Sequence, residues 1–464
     1  MFLNLKLYFF LVFIITGLNT KAQMDTFSVG EIINPVKCMA DETQSYALFL
    51  PSNYSTKRDW PIIIVLEPVA RGVVGTKVFE KAAEEFGYIV ATSNNSRNGL
   101  YENNFKAFEA VWDDVQSRFK IDNQRVYLSG FSGGARAAWA IAIKYQNITG
   151  IIGCGAALPS MYQGRPIQKD KLVFVGLVGD ADMNYLEMHD LKQYLDKKEI
   201  ENTLYVFDAG HQWPPPNVIT AALEWLELNS MKSQIVPSSA PFIQALEKKQ
   251  LQKVDTLIKA EDWVQAMAIL KSTKNDFQVF KQPSYLNHEI ENLSTTKEYK
   301  TALKKWQNTK LEEEQYQTQY IKAAGELLLP TQDIDSLMNW WDSEIISLKR
   351  KAKSKHKLKQ KMAARLLNLI AAMSFQSSQN KIEALDYAAA RLLIKLSIKV
   401  SPNNYWYLYN LAKIECLDTD NKEAYKTLEK AIALGIPSKK WLSHPAFDSI
   451  RNEDKFEQLL KLLD

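Results

Sequence analysis

RVYLSGFSGGARAAWAIA, residues 125–142, sets a β-branched and aromatic run directly before a glycine-bracketed serine and an alanine-rich helical pattern directly after it. A strand over Val126–Ser129 runs into Gly130-Phe131-Ser132-Gly133-Gly134, and Ala135, Ala137, Ala138 and Trp139 open a helix. This is G-x-S-x-G in the strand, turn and helix context that a nucleophile elbow requires. The turn must lift one side chain above a sheet on strained backbone, and glycines on either side offer no Cβ to obstruct it. The helix that follows aims its N-terminus at Ser132, so the Gly133 backbone N–H is a candidate donor to a developing oxyanion. The bland alternative is a tight strand-to-helix turn without chemistry.

A serine nucleophile needs a base, and of the five histidines only His189 and His211 precede the helical second half of the chain. His211 lies in TLYVFDAGHQWPPP, a strand followed by a glycine that permits a turn, the imidazole, and prolines that stiffen the loop. His189 lies in YLEMHDLKQYL, which has the period of an amphipathic helix, and reads as a packing residue. The orienting acid belongs just after the preceding strand, where KLVFVGLVGDADMNY offers Asp180 and Asp182. Asp182 is preferred because Gly179-x-x-Asp182 leaves the strand room to end and the carboxylate room to turn back. Asp180 is then a turn residue, and the choice between them stays open on sequence.

Outward from the elbow, short β-branched runs alternate with helical patterns: residues 46–50, 62–66, 88–92, 125–129, 151–155, 172–178 and 204–207. Such alternation predicts a mostly parallel sheet flanked by helices. SQIVPSSAP, residues 233–241, has the composition of a linker. The expected organisation is a sheet domain over 23–232 and a helical domain over 242–464. Within the latter, 381–437 carries small and apolar residues (Leu408, Leu411, Ala412, Ala424, Leu428, Ala431) at tetratricopeptide-like hairpin positions, and 364–375 with 385–399 forms a looser copy. The lysine-rich run 349–361 reads as a solvated helix face.

With 464 residues, 46% hydrophobic and 24% charged, the chain has the balance of a multi-domain globular protein and not of a disordered one. At the N-terminus, Lys6, the apolar run Leu7–Ile15 and Thr20-Lys21-Ala22 read as an export signal over residues 1–22, too short for a stable membrane span. The formal charge of +4 falls to +2 once Lys6 and Lys21 are removed, which speaks against nucleic-acid binding. The expected location is periplasmic or extracellular. Cys38, Cys154 and Cys416 are too few for a disulfide framework and read as buried thiols. No metal-ligand spacing and no cofactor motif is present, so neither metal nor cofactor is expected.

YALFLPSNY (46–54), WPIIIVLEP, RVYLSGFSGG, GDADMNY and GHQWPP, in this order, resemble secreted α/β-hydrolases of the polyhydroxybutyrate-depolymerase, feruloyl-esterase and acetylxylan-esterase type over residues 40–230. The resemblance implies an α/β-hydrolase fold and a triad of Ser132, Asp182 and His211. One departure stands out: Glu67-Pro68 replaces the His-Gly usual after the third strand, and proline has no N–H to donate. The second oxyanion donor is therefore expected from Val69 or a neighbour. Tyr185 and Trp213, next to the acid and the base, are candidate substrate walls, with ordinary packing as the alternative. Residues 156–171 leave too little chain for a helical cap, so an open site is expected.

The expected activity is hydrolysis of a carboxylic ester, glycan-, phenolic- or polymer-linked, through an acyl-enzyme on Ser132. An inactive binding module on the same fold and a serine peptidase are the alternatives. The helical half is expected to hold a protein partner or to restrict access to the site, or else to pack on the sheet domain as an appendage or dimerise it.

Overall fold

The computed structural model describes residues 27–167, 172–281, 284–329 and 333–463. The export signal read at residues 1–22 lies outside the described residues.

Eight strands form one sheet: β1 (Ile32–Lys37), β2 (Ser45–Phe49), β3 (Trp60–Leu66), β4 (Ile89–Ser93), β5 (Ile121–Phe131), β6 (Gly150–Cys154), β7 (Val173–Gly179) and β8 (Asn202–Phe207). Their spatial order is β1-β2-β4-β3-β5-β6-β7-β8. β2 runs antiparallel to both β1 and β4, and every other neighbouring pair is parallel. Crossovers pass through α1 (Gly72–Phe86), α2 (Tyr101–Arg118), α3 (Gly133–Lys144) and α4 (Tyr185–Lys197), and α5 (Pro216–Lys232) follows β8. This is the α/β-hydrolase fold.

Alternation along the strands explains why both faces are covered. Ile62, Ile64 and Leu66 of β3 enter one apolar core with Phe108, Trp112 and Trp139. Ile63 and Val65, pointing the other way, enter a second core with Phe79, Leu223 and Leu226. Each fully buried aliphatic side chain contributes roughly 1.5–3 kcal/mol, so the central strands are the most costly place to introduce a polar residue.

No strand follows Phe207 among the described residues. The second half is all helical: α6 (Ala240–Lys259), α7 (Trp263–Phe277), α8 (Ser284–Thr295), α9 (Lys297–Glu326), α10 (Ile334–Lys351), α11 (Lys357–Glu383), α12 (Tyr387–Val400), α13 (Tyr405–Leu417), α14 (Asn421–Ala433) and α15 (Asp454–Lys461). The connection from α5 is shorter than its composition suggests. Ser239 caps α6 through the Phe242 N–H, and Pro241 sits in the first turn, where a missing N–H costs nothing. The lysine-rich run 349–361 is split between the end of α10 and the start of α11 and is not one solvated face. Lys349 Nζ donates to the Lys399 carbonyl at 2.8 Å, and Lys361 binds the sheet half. Leu408, Ala412, Ala424, Leu428 and Ala431 pack in one core between α13 and α14.

Candidate active site

The elbow is built by close backbone contact. A Cβ on Gly134 would fall 1.9 Å from the Leu66 carbonyl oxygen, and one on Gly130 would fall 2.3 Å from the Gly134 carbonyl carbon. Only glycine lets α3 start this close to β3 and β5. Ser132 sits between them at φ 54°, a left-handed conformation that a serine adopts only where its surroundings over-determine it. Its N–H donates to the Cys154 carbonyl at the end of β6, at 2.8 Å, which pins the turn to the sheet rim.

Ser132, His211 and Asp182 converge above the carboxyl ends of β5, β8 and β7. His211 Nε2 lies 2.9 Å from Ser132 Oγ. His211 Nδ1 lies 2.9 Å from each oxygen of Asp182. With the Nδ1 proton donated to the carboxylate, Nε2 is left to accept from the serine hydroxyl. Asp182 is 0% exposed, and its Oδ1 also accepts from the Asn184 N–H at 2.9 Å. Asn184 Nδ2 donates to the Gly155 carbonyl at 2.7 Å, tying the acid loop to the end of β6. Gly155 has φ 66°, and a Cβ there would stand 3.0 Å from Asp182 Oδ2, so the acid also rests against bare backbone.

The second aspartate takes a different part. Asp180 turns away from His211 and pairs with Lys361 of α11 at 2.8 Å. Arg365 Nη1 donates to the Asp180 carbonyl at 2.7 Å, and Asn368 Nδ2 donates to the Ala181 carbonyl at 3.1 Å. Lys361 also binds Asp208, three residues before His211. One face of α11 thus grips the loops carrying both Asp182 and His211. Arg365 is itself fixed by buried Glu313 of α9, at 2.8 Å from Nε. The rim is therefore walled on this side by the helical half, through residues of α11 that the sequence did not place at the site. Between residues 156 and 167 there is no α-helix, only a single 3-10 turn at Ser160–Tyr162.

Glu67 and Val69 depart from expectation. Glu67 is 0% exposed, and its Oε2 accepts the Val69 N–H at 2.7 Å and the Arg71 N–H at 3.0 Å. The guanidinium of Arg71 closes over Oε1, at 3.0 Å from Nε. The Val69 N–H is thus spent inside its own loop and cannot serve as an oxyanion donor there. The polar group that does reach the elbow is Asn98. Its N–H donates to the Pro68 carbonyl at 2.9 Å, and its amide would stand 1.9 Å from a Cβ on Gly133. Asn98 is exposed, and no hydrogen bond from its side chain is present among the described residues.

Neither aromatic wall stands where the sequence suggests. Trp213 packs behind Phe131, with ring centroids 5.4 Å apart, and edge-on to Phe79. Phe131, the residue before the serine, is the ring that meets His211, at 4.6 Å. Tyr185 faces the other way, against the Arg365 guanidinium at 4.5 Å and His189 at 4.4 Å. His189 is a helix residue on α4, packed between the two halves. No group of metal-binding side chains occurs among the described residues. Cys38, Cys154 and Cys416 are free and buried, and burial pushes each thiol up to about 12.

No family model and no curated protein matches the chain. Among solved structures it is similar to fluorophosphonate-binding serine hydrolase F of Staphylococcus aureus, at 14% identity and TM-score 0.36 over 43% of this chain and 99% of that one. A ferulic acid esterase is similar at 14% identity and TM-score 0.33, over 42% and 95% of the two chains. An esterase of Pyrobaculum calidifontis is similar at 11% identity and TM-score 0.34, over 46% and 88%.

Proposed function

We propose that the chain is a serine hydrolase of carboxylic esters, with Ser132 as nucleophile, His211 as general base and acid, and Asp182 as the group that orients and charge-compensates His211. The observation that carries this reading is the continuous relay from Asp182 through His211 to Ser132, at 2.9 Å per step, ending on a serine at φ 54°. A merely structural turn has no need of a buried carboxylate aligned on an imidazole that is itself aligned on a strained serine.

In the reaction, Ser132 Oγ bonds to the ester carbonyl carbon while His211 Nε2 takes the hydroxyl proton. The carbonyl π electrons move to oxygen, and the oxyanion meets the Gly133 N–H. Asn98 is proposed as the second donor in place of Val69. Half a turn about its last side-chain bond exchanges Oδ1 for Nδ2, and the two orientations of an amide are sterically equivalent. Collapse breaks the bond to the alcohol, which leaves with the proton from His211. Water, deprotonated by His211, then attacks the acyl-serine and releases the carboxylic acid and free Ser132.

The substrate is proposed to be an ester on a glycan, phenolic or polymer chain, reached from the rim between Asn98 and α11. The 156–167 connection has no α-helix to roof the serine, which suits a bulky alcohol. Cleavage after Ala22, export, and a protein partner for α11–α14 complete the proposal. The test is turnover of acetyl, butyryl and feruloyl esters by the mature chain, beside Ser132→Ala and labelling with a fluorophosphonate. Loss of both turnover and label in the variant is expected. A folded parent that neither labels nor hydrolyses any of the esters would overturn the assignment.

A further inference from the structure

Between the β8 edge of the sheet and the helical half lies a cavity of about 670 Å³ that involves neither Ser132 nor His211. That volume is in the range of small-molecule sites, roughly 300–1,000 Å³. Its walls carry Tyr185 from α4, Tyr205 from β8, Trp263 from α7 and Trp306 from α9. His189 continues the aromatic wall, with its ring 4.4 Å from Tyr185 and 5.8 Å from Trp306. Its Nε2 is buried without a hydrogen-bond partner. Burial, and then the charges of Lys310, Arg365 and Lys192, hold this imidazole down at about 4, so it is neutral and one of its nitrogens is a donor.

The charges around these rings balance inside the chamber and not at its mouth. Lys361 and Arg365 are paired with Asp180 and Glu313, and Lys192 with Asp196. The acids Asp262 and Asp276 meet neutral donors only, the first capping α7 and the second bound by Trp225 Nε1 at 3.0 Å and Ser272 at 3.1 Å. What is left among the described lining residues is four exposed lysines, Lys253, Lys297, Lys305 and Lys357, without a carboxylate partner, against four acids without a cationic one, Asp262, Asp276, Glu261 and Glu298. The excess lies outside, where a shallower hollow of about 590 Å³ continues from Lys297 and Lys305 to Lys300 and Lys304 with no acid among its lining residues. A basic approach to a partly enclosed chamber concentrates anions at its mouth.

We propose that this cavity binds an organic anion with a flat apolar body, an aromatic carboxylate in chemical class, with its ring among Trp263, Trp306 and Tyr185 and its charge toward the unpaired lysines. Aromatic faces favour a flat ring, and ammonium groups without counter-ions favour a carboxylate over a neutral isostere. Its walls come from α4 and β8 on one side and α6, α7, α9 and α11 on the other, so an occupant clamps the two halves together. Binding to the folded chain then raises its stability by mass action. The proposal rests on the cavity alone and stands or falls apart from the chemistry of Ser132.

The test is calorimetric titration of the full chain with 2-naphthoate, beside neutral 2-naphthylmethanol and a Lys253→Glu/Lys305→Glu double variant. Saturable binding of the carboxylate with a Kd below about 1 mM is expected, weakened at least about tenfold in the double variant and for the alcohol. The carboxylate should also raise the unfolding temperature of the parent. No binding, equal binding of the alcohol, or unchanged binding by a double variant that unfolds at the parent's temperature would each overturn the proposal. Should the double variant fail to fold, the parent's salt dependence decides. Weaker binding between about 0.05 M and about 0.5 M salt supports a charge-led site, and unchanged binding refutes it.

Discussion

Replacing Asn98 by alanine isolates the least conventional part of the proposed mechanism. The Val69 N–H is bonded to buried Glu67 at 2.7 Å and the Arg71 N–H to the same oxygen at 3.0 Å, so the loop after β3 has no donor to lend at these two positions. If the hole consists of the Gly133 N–H and the Asn98 amide, the variant keeps one donor of two. Loss of one such donor costs about 10²–10³ in kcat, or about 3–4 kcal/mol of transition-state stabilisation. KM should change little, because the donor meets the oxyanion and not the ground-state carbonyl. Stability should move by less than about 0.5 kcal/mol, since Asn98 is exposed and its side chain makes no hydrogen bond among the described residues. The assay is kcat and KM on 4-nitrophenyl acetate, with the rate of fluorophosphonate labelling measured in parallel. Asn98→Asp, which keeps the shape and removes the donor, should lose at least as much. A kcat within about threefold of the parent in Asn98→Ala would refute the reasoning and return the second donor to another backbone group.

The two aspartates of the acid loop should separate cleanly: Asp182→Asn is expected to lower kcat by about 10³–10⁴ by favouring the wrong imidazole tautomer, whereas Asp180→Asn should keep most of it, both read as kcat on the best ester. Asn368→Ala removes the bond to the Ala181 carbonyl, about 1 kcal/mol, and should lower kcat about fivefold with KM unchanged. Arg365→Met leaves Glu313 buried without its cation and should destabilise the chain by about 3–5 kcal/mol in urea unfolding. His189 sets an acid limb of stability. Its folded imidazole is held at about 4, so as pH falls below the ordinary histidine value the unfolded chain takes a proton that the folded one refuses. Stability therefore drops by up to about 3 kcal/mol between about pH 6.5 and about pH 4. Burial pushes Asp276 up to about 6 and works in the opposite sense, so the readout is the parent minus His189→Phe difference in urea midpoint at the two ends of that window.

The elbow was legible because its constraint is local: a strand, two glycines and a helix must abut, and few residue types permit it. The seven central and far strands were legible for a similar reason, since β-branched runs bounded by turns carry their own signal. β1 was not, because Asn34-Pro35 breaks its pattern. The structure accommodates the break with a register shift between Ile33 and Val36 on the edge strand, where a missing N–H is tolerated. Val69 and Tyr185 were placed by adjacency in sequence, and adjacency says nothing of direction. Glu67 looked like a departure from a familiar pattern, yet it is the acceptor around which residues 67–71 are wound. Phe131, not Trp213, meets the imidazole because the turn points residue 131 and the loop after Gly210 toward each other.

The deeper gap concerns α11. Lys361, Arg365 and Asn368 are spaced for one helix face, and a polar face in a lysine-rich stretch ordinarily belongs to solvent. Here that face answers unpaired backbone oxygens: the carbonyls of Asp180 and Ala181 lie in the loop where β7 ends and the chain turns to bring Asp182 under His211. A carbonyl at such a turn must find water or a donor. Supplying the donor from a second layer of structure makes the loop's position depend on how the helical half sits. Arg365 is the pivot, because it spends its other nitrogens on Glu313, so α9, α11 and the acid loop form one hydrogen-bonded unit. Asp180 and Asp182 thereby divide the work that the sequence left undecided: one is held from outside by the helices, and the other faces inward to the histidine.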